Sequence, residues 1–449
     1  MSHSRKRLLS VIGLFALLPA VAATWVVAKN SWTVPGSEHP YQPELDITIE
    51  LPEPGQSDWP WWRGASGNGT APAQIESCNS SVAEWDVDIP GVGQSSPIIR
   101  GHRVFVTTFD APSTVSLICL HRDNGRIIWR TDIVRNADTN TNASNSPASP
   151  TPACDGSRVF VPVIAGERVI LSAVSLDGKT EWQKDVGCYQ SVHGFASSPA
   201  ICGNNVIVCC DSKGPGNSRH AGVSFVAALN RESGRVAWRT RRDSLSGFAT
   251  PIIAHTGEGK VMILPGKRSI MGYDPTTGRK LWKKEWEAAR PIASAVVAHG
   301  AAVVCTRKPG NVVMCLDFGQ PEGMQQVSTR WKINRCSGDT PSPLIHDEHV
   351  LTLDDAGILN CLEFATGNVL WRKRLGGQFA ASPILAAGSI WLVSKSGQLL
   401  QIRSGNECHL VQEQTISTSE SFWASPAVSG DLLILRSATR IYCRRMIAG

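Results

Sequence analysis

Hydrophobic residues in this chain occur as short runs separated by turns that contain glycine. The clearest example lies between residues 382 and 402, where three such runs are separated by Gly388 and Gly397. Short apolar runs between glycine turns are typical of β-hairpins, because glycine adopts the backbone conformations that tight turns require. Helical periodicity is absent after the N-terminal segment. The pattern therefore predicts an all-β protein.

A repeated pair, a glycine four residues before a tryptophan, identifies an internal repeat. The five pairs are Gly125 and Trp129, Gly178 and Trp182, Gly234 and Trp238, Gly278 and Trp282, and Gly367 and Trp371. Trp331 belongs to a further unit, in which Gly323 lies eight residues earlier because the turn is longer. We interpret the glycines of the five pairs as turn glycines that need a positive φ.

A second repeated feature gives the number of units. Seven Ser-Pro or Thr-Pro pairs each precede an apolar strand, and Ser294-Ala295 takes the remaining position. The first residues of the eight pairs are Ser96, Thr151, Ser198, Thr250, Ser294, Ser342, Ser382 and Ser425. Their spacing of 40 to 55 residues matches four-stranded propeller blades, whose repeats have about 40–50 residues. The sequence therefore predicts an eight-bladed β-propeller with four-stranded blades.

The last unit is one strand short. From Ser425 onward it contains hydrophobic runs at 432–435 and 440–443, without a further run for an outermost strand. The segment 81–89, which contains Trp85, precedes the first unit and belongs to no unit of its own. We expect the strand around Trp85 to complete the last blade and close the ring, because closure removes exposed sheet edges.

The first 28 residues have the features of a signal peptide or an N-terminal membrane anchor. Three basic residues at positions 5–7 precede an apolar run at 8–27, and small residues allow cleavage after Ala22 or Ala23. A basic segment followed by an apolar segment is typical of export signals. In both cases the basic flank stays inside. We therefore expect a periplasmic protein, or one anchored to the inner membrane with its propeller outside the cytoplasm.

Residues 29–58 are predicted to form an acidic, proline-rich linker, and residues 59–449 to form the propeller. From residue 31 the linker contains six acidic residues, five prolines and no lysine or arginine. Such a segment cannot bury enough apolar surface to fold. The 449-residue chain has a formal net charge of +6. Its basic residues form no block of the kind that binds nucleic acid, so no nucleic-acid partner is expected.

The repeats resemble those of the quinoprotein-like, or PQQ-like, eight-bladed β-propellers, and the resemblance covers residues 59–445. In that family the tryptophan that ends a repeat docks between neighbouring blades. The resemblance implies that the blade-docking residues of this chain are Trp85, Trp129, Trp182, Trp238, Trp282, Trp331 and Trp371. The segment 58–64, Asp-Trp-Pro-Trp-Trp-Arg-Gly, is similar to one near the start of exported planctomycetal proteins with PQQ-like repeats.

Two branches of this family suggest different functions. Propellers of the BamB type, which belong to outer membrane assembly, bind protein partners and are not enzymes, whereas quinoprotein alcohol dehydrogenases hold PQQ and calcium in the channel. Cys209 and Cys210 are adjacent, like the vicinal disulfide that many dehydrogenases place against the cofactor. Alternatively, both lie on one strand and point to its opposite faces. No Cys-x-x-Cys-His motif for haem occurs, and we assign no catalytic residue and no metal ligand.

Several other cysteines are interpreted as structural. The residues that occupy similar places in their units are Cys119, Cys315, Cys361, Cys443 and, in the third unit, Ala228. We expect a small buried residue on the inner strand here, because a free cysteine packs like a small hydrophobic residue. Export would also allow disulfides, and Cys202 with Cys209 is then the best pair within one blade.

Polar loop residues are the remaining candidates for a site. We expect His193 and His220 to line one mouth of the channel, although a histidine outside a motif is more often a surface residue. Asp354-Asp355 fits a hairpin turn better than a metal site. The loop 136–149 is polar and long, which predicts a mobile segment or a contact surface.

These features favour an exported, non-enzymatic propeller that acts as a protein-interaction scaffold for envelope proteins, in the manner of BamB. No cofactor is expected, and membrane association would use only the N-terminal segment if it is uncleaved. No cysteine precedes Cys78, so the lipid-modified cysteine usual in the BamB branch is missing. Two alternatives stay open: a PQQ-dependent dehydrogenase that binds PQQ with calcium, and a propeller that binds a small ligand in its channel.

Overall fold

The computed structural model describes residues 53–448 apart from 73–77, 140, 143, 192, 214–222, 257–258, 319–326 and 406. This part of the chain forms 32 β-strands in eight four-stranded sheets. The prediction of an all-β, eight-bladed propeller is confirmed. The described residues include no helix with the length and hydrophobicity needed to cross a lipid bilayer. The predicted signal or anchor and most of the predicted linker lie outside the described residues.

Seven blades each use four consecutive strands, and the eighth combines both ends of the described chain. The bounds are, for blade 1, Ile98–Arg100 (β2), Arg103–Asp110 (β3), Thr114–His121 (β4) and Ile127–Val134 (β5); for blade 2, Ala153–Cys154 (β6), Arg158–Ala165 (β7), Arg168–Ser175 (β8) and Thr180–Cys188 (β9); for blade 3, Ala200–Cys202 (β10), Asn205–Cys210 (β11), Phe225–Asn230 (β12) and Val236–Arg241 (β13); for blade 4, Ile252–Thr256 (β14), Gly259–Gly266 (β15), Ser269–Tyr273 (β16) and Lys280–Glu285 (β17); for blade 5, Val296–Ala298 (β18), Ala301–Thr306 (β19), Val312–Phe318 (β20) and Val327–Ile333 (β21); for blade 6, Leu344–His346 (β22), His349–Leu353 (β23), Ile358–Glu363 (β24) and Val369–Arg374 (β25); for blade 7, Ile384–Ala386 (β26), Ser389–Val393 (β27), Gln398–Ser404 (β28) and Cys408–Thr415 (β29); and for blade 8, Ala427–Ser429 (β30), Leu432–Arg436 (β31), Arg440–Ala448 (β32) and Cys78–Asp88 (β1).

Within a blade, the first strand faces the central channel and the fourth strand forms the outer rim. The second and third strands are buried along most of their length, whereas the fourth alternates between buried and exposed residues, as in blade 1. This pattern arises because both faces of the middle strands pack against neighbouring blades. Phe160 of blade 2 and Phe225 of blade 3, for example, share one hydrophobic cluster. The core therefore consists of interfaces between blades.

The ring is closed by pairing the first strand of the described chain with its last. β1 lies antiparallel to β32, and the sheet order in blade 8 is β1-β32-β31-β30. Trp85 stands opposite Cys443 in this pairing. The prediction that the strand around Trp85 becomes the outer strand of the last blade is confirmed.

A closed ring of eight hydrogen bonds joins the blades beside the channel. The backbone N–H of the Ser or Thr that begins each blade donates to the hydroxyl oxygen of the corresponding residue in the next blade, at 2.8–3.0 Å. In order, these residues are Ser96, Thr151, Ser198, Thr250, Ser294, Ser342, Ser382 and Ser425, whose N–H donates to Ser96. The repeated hydroxyl residue thus ties each blade to its neighbour.

Tryptophans join neighbouring blades at the outer rim. Indole N–H groups donate to backbone carbonyls of the following blade at 2.8–3.2 Å from Trp85, Trp129, Trp182, Trp238, Trp331 and Trp371. The rings of five of these lie on the turn glycines of the following blade, Gly125, Gly178, Gly234, Gly278 and Gly367, whose φ is 67–86°. Glycine serves twice here, because it allows the positive φ and leaves room for the indole ring.

These six tryptophans and Trp282 each face a small residue across the blade. The pairs are Trp85 with Cys443, Trp129 with Cys119, Trp182 with Ala173, Trp238 with Ala228, Trp282 with Gly272, Trp331 with Cys315 and Trp371 with Cys361. The expectation that the small residues lie on the inner strand is wrong, because they lie on the third strand. The indole covers that strand closely, and a Cβ added at Gly272 would overlap the ring of Trp282.

Residues 53–72, which we call the plug, cross the channel. Trp59 exchanges two backbone hydrogen bonds with Ile99 of β2, at 2.8 and 2.9 Å. Further along the plug, Thr70 forms a parallel bridge with Leu385 of β26. The plug is therefore bonded to the first strands of blades 1 and 7, which are separated in the ring by blade 8.

Two plug side chains strengthen its attachment. The side-chain amide of Asn68 bonds both the N–H and the C=O of Val297 in blade 5, at 2.9 and 2.8 Å. The buried Arg63 donates from Nη2 to the carbonyl of Pro343 at 2.8 Å and to that of Asn68 at 2.6 Å. Burial lowers the pKa of Arg63 to about 9. These bonds fix the plug against the channel wall.

Candidate functional site

A cavity of about 770 Å³, which we call the mouth cavity, occupies the channel on the side of the hydroxyl ring. Its wall contains ring residues and the loops that connect the fourth strand of one blade with the first strand of the next. Trp62 of the plug lines this cavity and also a second one beyond it. The plug therefore closes the mouth cavity at one end, and the volume is within the range of ligand pockets.

His193 lies in the wall of the mouth cavity, as expected from its place in the sequence. Its two ring nitrogens lie 3.1 Å from Asn142 Nδ2 and 2.9 Å from Arg290 Nη1, and its ring packs edge-on against Phe248. Burial, followed by the positive charge of Arg290, lowers the pKa of His193 below its usual value. Because a guanidinium only donates, the ring nitrogen beside Arg290 accepts its N–H, and the charge of Arg290 disfavours a second proton on that ring.

A chain of charged residues continues from His193 along the wall. Arg290 donates to the carboxylate of Asp339 at 2.8 Å. Asp355 accepts from the backbone N–H of Asp339 at 2.7 Å, and its carboxylate lies 3.8 Å from Arg307. Together with His193, these residues lie in five different loops. The network thus fixes several loops of the mouth relative to one another.

Aromatic groups supply the other part of the mouth cavity. The ammonium of Lys395 lies 4.1 Å from the centre of the Trp423 ring, which is a cation–π contact. Trp62 and Phe248 also line the cavity. An arrangement of aromatic faces beside polar groups can hold a polar organic group or a polypeptide segment.

The mouth cavity does not fit a calcium ion with a quinone cofactor. Calcium takes six to eight oxygen ligands, whereas Asp339 is bonded to Arg290 and Asp355 accepts from the hydroxyl of Thr340 at 3.1 Å. Asp354 lies in a hairpin turn, as predicted, and its carboxylate accepts N–H groups of that turn. Within the described ranges, no group of three or more His, Cys, Asp or Glu residues could hold a metal ion.

Cys209 and Cys210 lie on β11 and point into two different interfaces. Cys209 packs in the cluster that contains Trp238, and Cys210 packs in the cluster that contains Phe225. Adjacent residues of a strand point to opposite faces, and neither cysteine lines the mouth cavity. Burial raises the pKa of both thiols above the usual range. Their placement gives no support to a contact with a cofactor.

All thirteen cysteines have free thiols. Cys202 and Cys209, the best pair within one blade, share a hydrophobic cluster without a disulfide. Burial raises the pKa of Cys119 and Cys315 to about 12. A thiol with such a pKa is protonated near neutral pH and is a poor nucleophile. These cysteines therefore act as small packing residues.

Several residues of the mouth cavity were not found from the sequence. Arg290, Asp339 and Trp423 stand in irregular loops outside the repeat pattern. Their only common signal is a position two to four residues before a Ser that begins a blade. The loop 136–149 was expected to be mobile or a contact surface, and it lines the mouth cavity. His220 lies outside the described residues.

Comparison with known proteins identifies related sequences over most of the chain. A family model described as outer membrane protein assembly factor BamB matches residues 79–216, 218–329 and 318–449. A protein of Yersinia pestis with the same description is 23% identical over 338 residues, which are 74% of this chain and 70% of that protein.

Solved structures share the propeller fold. BamB from Moraxella catarrhalis superposes with a TM-score of 0.58 at 15% identity, covering 82% of this chain and 98% of that one. A quinohemoprotein alcohol dehydrogenase from Pseudomonas putida superposes with a TM-score of 0.65 at 12% identity, covering 87% and 80%. Such identities show the fold alone. The resemblance to PQQ-like propellers stated from the repeats is confirmed.

Proposed function

This chain belongs to the family of outer membrane protein assembly factor BamB, and from this membership we propose that it is an exported, non-enzymatic propeller that binds proteins of the cell envelope. The finer proposal is that it takes part in the assembly of outer membrane proteins. The loops around the mouth cavity supply the binding surface. Fold alone does not determine function, so the proposal also needs support from the site.

The observation that carries the proposal is that the polar groups of the mouth cavity are bonded to one another. Acid–base catalysis needs a group that can reach the proton it transfers. Here both ring nitrogens of His193 lie within hydrogen-bond distance of protein side chains, Asn142 and Arg290, and Arg290 also forms an ion pair with Asp339. Such a network makes a loop surface rigid, and a rigid surface loses less conformational entropy when it binds a partner.

The proposed location follows from the two N-terminal segments. Residues 1–28 would export the chain, and residues 29–58 would separate the propeller from the membrane if the first segment stays uncleaved. No cysteine precedes Cys78. The proposed attachment to the membrane is through residues 1–28, if they stay uncleaved.

Photo-crosslinking in cells tests the protein-binding function. A photoreactive amino acid replaces Ser144 or Gln378, which are exposed residues of the mouth cavity. Asp177 and Glu232, exposed on turns at the other end of the blades, serve as matched control positions. We expect crosslinks to outer membrane assembly proteins from the mouth positions only. Products from all four positions alike, or from none, would contradict the proposed binding surface.

A PQQ-dependent dehydrogenase is the alternative to be tested, since a quinohemoprotein dehydrogenase shares the fold, although the lining of the mouth cavity does not fit calcium with a quinone. The test is titration of the full chain with PQQ and calcium, followed by cofactor absorbance and dye-linked alcohol oxidation. Binding with turnover would overturn the non-enzymatic proposal.

A small-ligand propeller is the third candidate, and it is supported by the cavity volume of about 770 Å³.

A further inference from the structure

In the first strands that have three residues, the middle residue turns its N–H and C=O into the channel. In antiparallel sheets, hydrogen-bonded pairs alternate with pairs whose groups point away from the partner strand. In blade 1 the channel-facing groups of Ile99 bond to Trp59 of the plug. In blade 7 those of Leu385 bond to Gly69 and Ala71. The plug thus acts as an added strand on these two inner edges.

The first strands of blades 3 and 4 present the same channel-facing backbone groups, but the described plug residues form no backbone hydrogen bonds with them. Ile201 of β10 and Ile253 of β14 have the same register in their hairpins as Ile99 has in blade 1. No described residue forms a backbone hydrogen bond with the channel-facing groups of these two residues. Both line the second cavity, of about 470 Å³, between the plug and blades 3 to 5. Because an unpaired strand edge is a template for another strand, this wall can accept an occupant.

The first strand of blade 4 offers the longest inner edge. β14 has five residues, whereas the first strands of the other blades have two or three. Ile253 and His255 both alternate toward the channel and both line the second cavity. β14 therefore presents two N–H and two C=O groups at the spacing of a strand ladder.

We propose that the inner edge of β14 binds an extended peptide segment of a partner protein, which adds to blade 4 as a strand inside the second cavity. Strand addition is an established recognition mode in which backbone hydrogen bonds supply affinity. The plug provides the precedent within this molecule, because it already pairs in this way with β2 and β26. The proposal deepens the protein-binding function and rests on it for the existence of a partner.

The walls of the second cavity indicate the side chains that fit. Ile201 and Ile253 stand on the blade side, and Trp61 stands on the plug side. This surface suits a peptide with β-branched residues, which pack well on a pleated, half-buried face. Asn68 shows that one amide group can bond both the backbone N–H and the C=O of a first-strand residue, since its side chain bonds these two groups of Val297.

The test uses the full chain and the capped pentapeptide acetyl-Val-Thr-Val-Thr-Val-amide. We expect saturable binding by isothermal titration calorimetry. We also expect slower hydrogen exchange at the amides of Ile253 and His255 when the peptide is present. A fully N-methylated form of the same peptide, which has no backbone donor, should not bind.

His255→Pro and His255→Ala form a matched pair of variants. Both remove the exposed imidazole, but only proline removes the backbone N–H that faces the channel. The ladder with β15 uses the alternate residues, and proline is tolerated on edge strands whose N–H faces away from the sheet. Loss of one hydrogen bond should weaken binding about five- to tenfold in the proline variant. The alanine variant should bind within about twofold of the unchanged chain.

Three results would overturn the proposal: no binding, equal affinity of the two variants, or protection from exchange at a site other than β14. Protection of Ile253 and His255 in the free chain would also overturn it, because the edge would then be occupied by this chain itself. If the proline variant does not fold, the exchange measurement on the unchanged chain decides. Crosslinking from the mouth loops does not involve β14, so failure here and failure of the proposed function are distinguishable.

Discussion

The junction between blades 7 and 8 differs from the other junctions at the outer rim. The outer strand of blade 7 places Gln412 next to Gln401 in the register where the other blades place a tryptophan opposite a small residue. The reason lies in the following blade. A docking tryptophan packs on the turn between the third and fourth strands of its neighbour. Blade 8 has no such turn, because β32 and β1 come from opposite ends of the described chain.

Side-chain amides hold this closing junction instead. Gln412 Oε1 accepts the backbone N–H of Ser81 at 2.9 Å. Gln401 Nε2 donates to the carbonyl of Cys78 at 2.6 Å and to the hydroxyl of Ser389 at 3.0 Å. Tryptophan therefore stands where the following blade has a continuous turn between its third and fourth strands. In blade 8 the outer strand β1 begins at the place of this turn, and polar side chains of blade 7 form hydrogen bonds with its backbone.

Removing a docking tryptophan should have the largest effect. Trp238 is buried, its ring covers Gly278, and its indole N–H donates to the carbonyl of Pro275 at 3.2 Å. Trp238→Ala should lower the free energy of unfolding by about 3–5 kcal/mol, because it leaves a void between blades 3 and 4 and an unbonded carbonyl. Denaturant unfolding followed by circular dichroism measures the change.

Trp371→Ala is the matched control. Trp371 is half-buried, and its indole N–H donates to Gly405 of blade 7 at 3.0 Å. A Cβ added at Gly405 would contact nothing within 4 Å. The Trp371 ring therefore does not pack on this glycine. We expect a smaller loss of stability than for Trp238→Ala. Equal losses would mean that packing on the turn glycine does not explain the tryptophan junctions.

The turn glycine tests the other half of the same contact. Gly278 has a φ of +72°, and a Cβ there would overlap the Trp238 ring. Gly278→Ala should lower the free energy of unfolding by about 2–4 kcal/mol, through the left-handed backbone and the displaced ring. Gly203 has a φ of +55° with open space around it, so Gly203→Ala should lose only about 1–2 kcal/mol. The same loss in both variants would show that the ring contact contributes nothing.

The sequence predicts the eight-bladed ring and its closure, but it does not predict which turn glycine each tryptophan contacts. The Ser or Thr that begins a unit recurs eight times, so it predicted eight blades. Trp129, however, packs on Gly178 of the next blade and not on Gly125 of its own repeat, and a repeat by itself cannot orient a contact between units. The mouth network was harder to predict. His193 and Arg290 are 97 residues apart in loops of irregular length, which no periodic pattern brings together.

At the closing junction, Gln401→Ala should lower the free energy of unfolding by about 1–3 kcal/mol. Gln401 is fully buried, and its loss leaves the carbonyl of Cys78 with fewer donors. Hydrogen exchange monitored by mass spectrometry should become faster in β1, while exchange in β5, at a tryptophan junction, stays unchanged. Faster exchange in both strands would indicate that the amide acts on the whole ring and not on the closing junction.

Placing a tryptophan at the closing junction gives a direct test of the turn explanation. Gln412→Trp restores the residue type of the other blades, but blade 8 has no turn glycine to receive the ring. We expect a loss of about 1 kcal/mol, because the bond to Ser81 is removed and no packing replaces it. An increase in the free energy of unfolding would show that tryptophan can dock without a turn, and the explanation would be wrong.

The hydroxyl ring beside the channel should not distinguish the closing blade from the others. Ser425 in blade 8 accepts the N–H of Ser382 at 2.9 Å, and Ser294 in blade 5 accepts that of Thr250 at 2.8 Å. Ser425→Ala and Ser294→Ala should each lower the free energy of unfolding by about 0.5–1.5 kcal/mol, since each removes one acceptor. Hydrogen exchange should become faster at Ser382 in the first variant and at Thr250 in the second. A clearly larger loss of stability for Ser425→Ala than for Ser294→Ala would contradict this expectation. It would mean that the closing junction differs from the others beside the channel as well as at the outer rim.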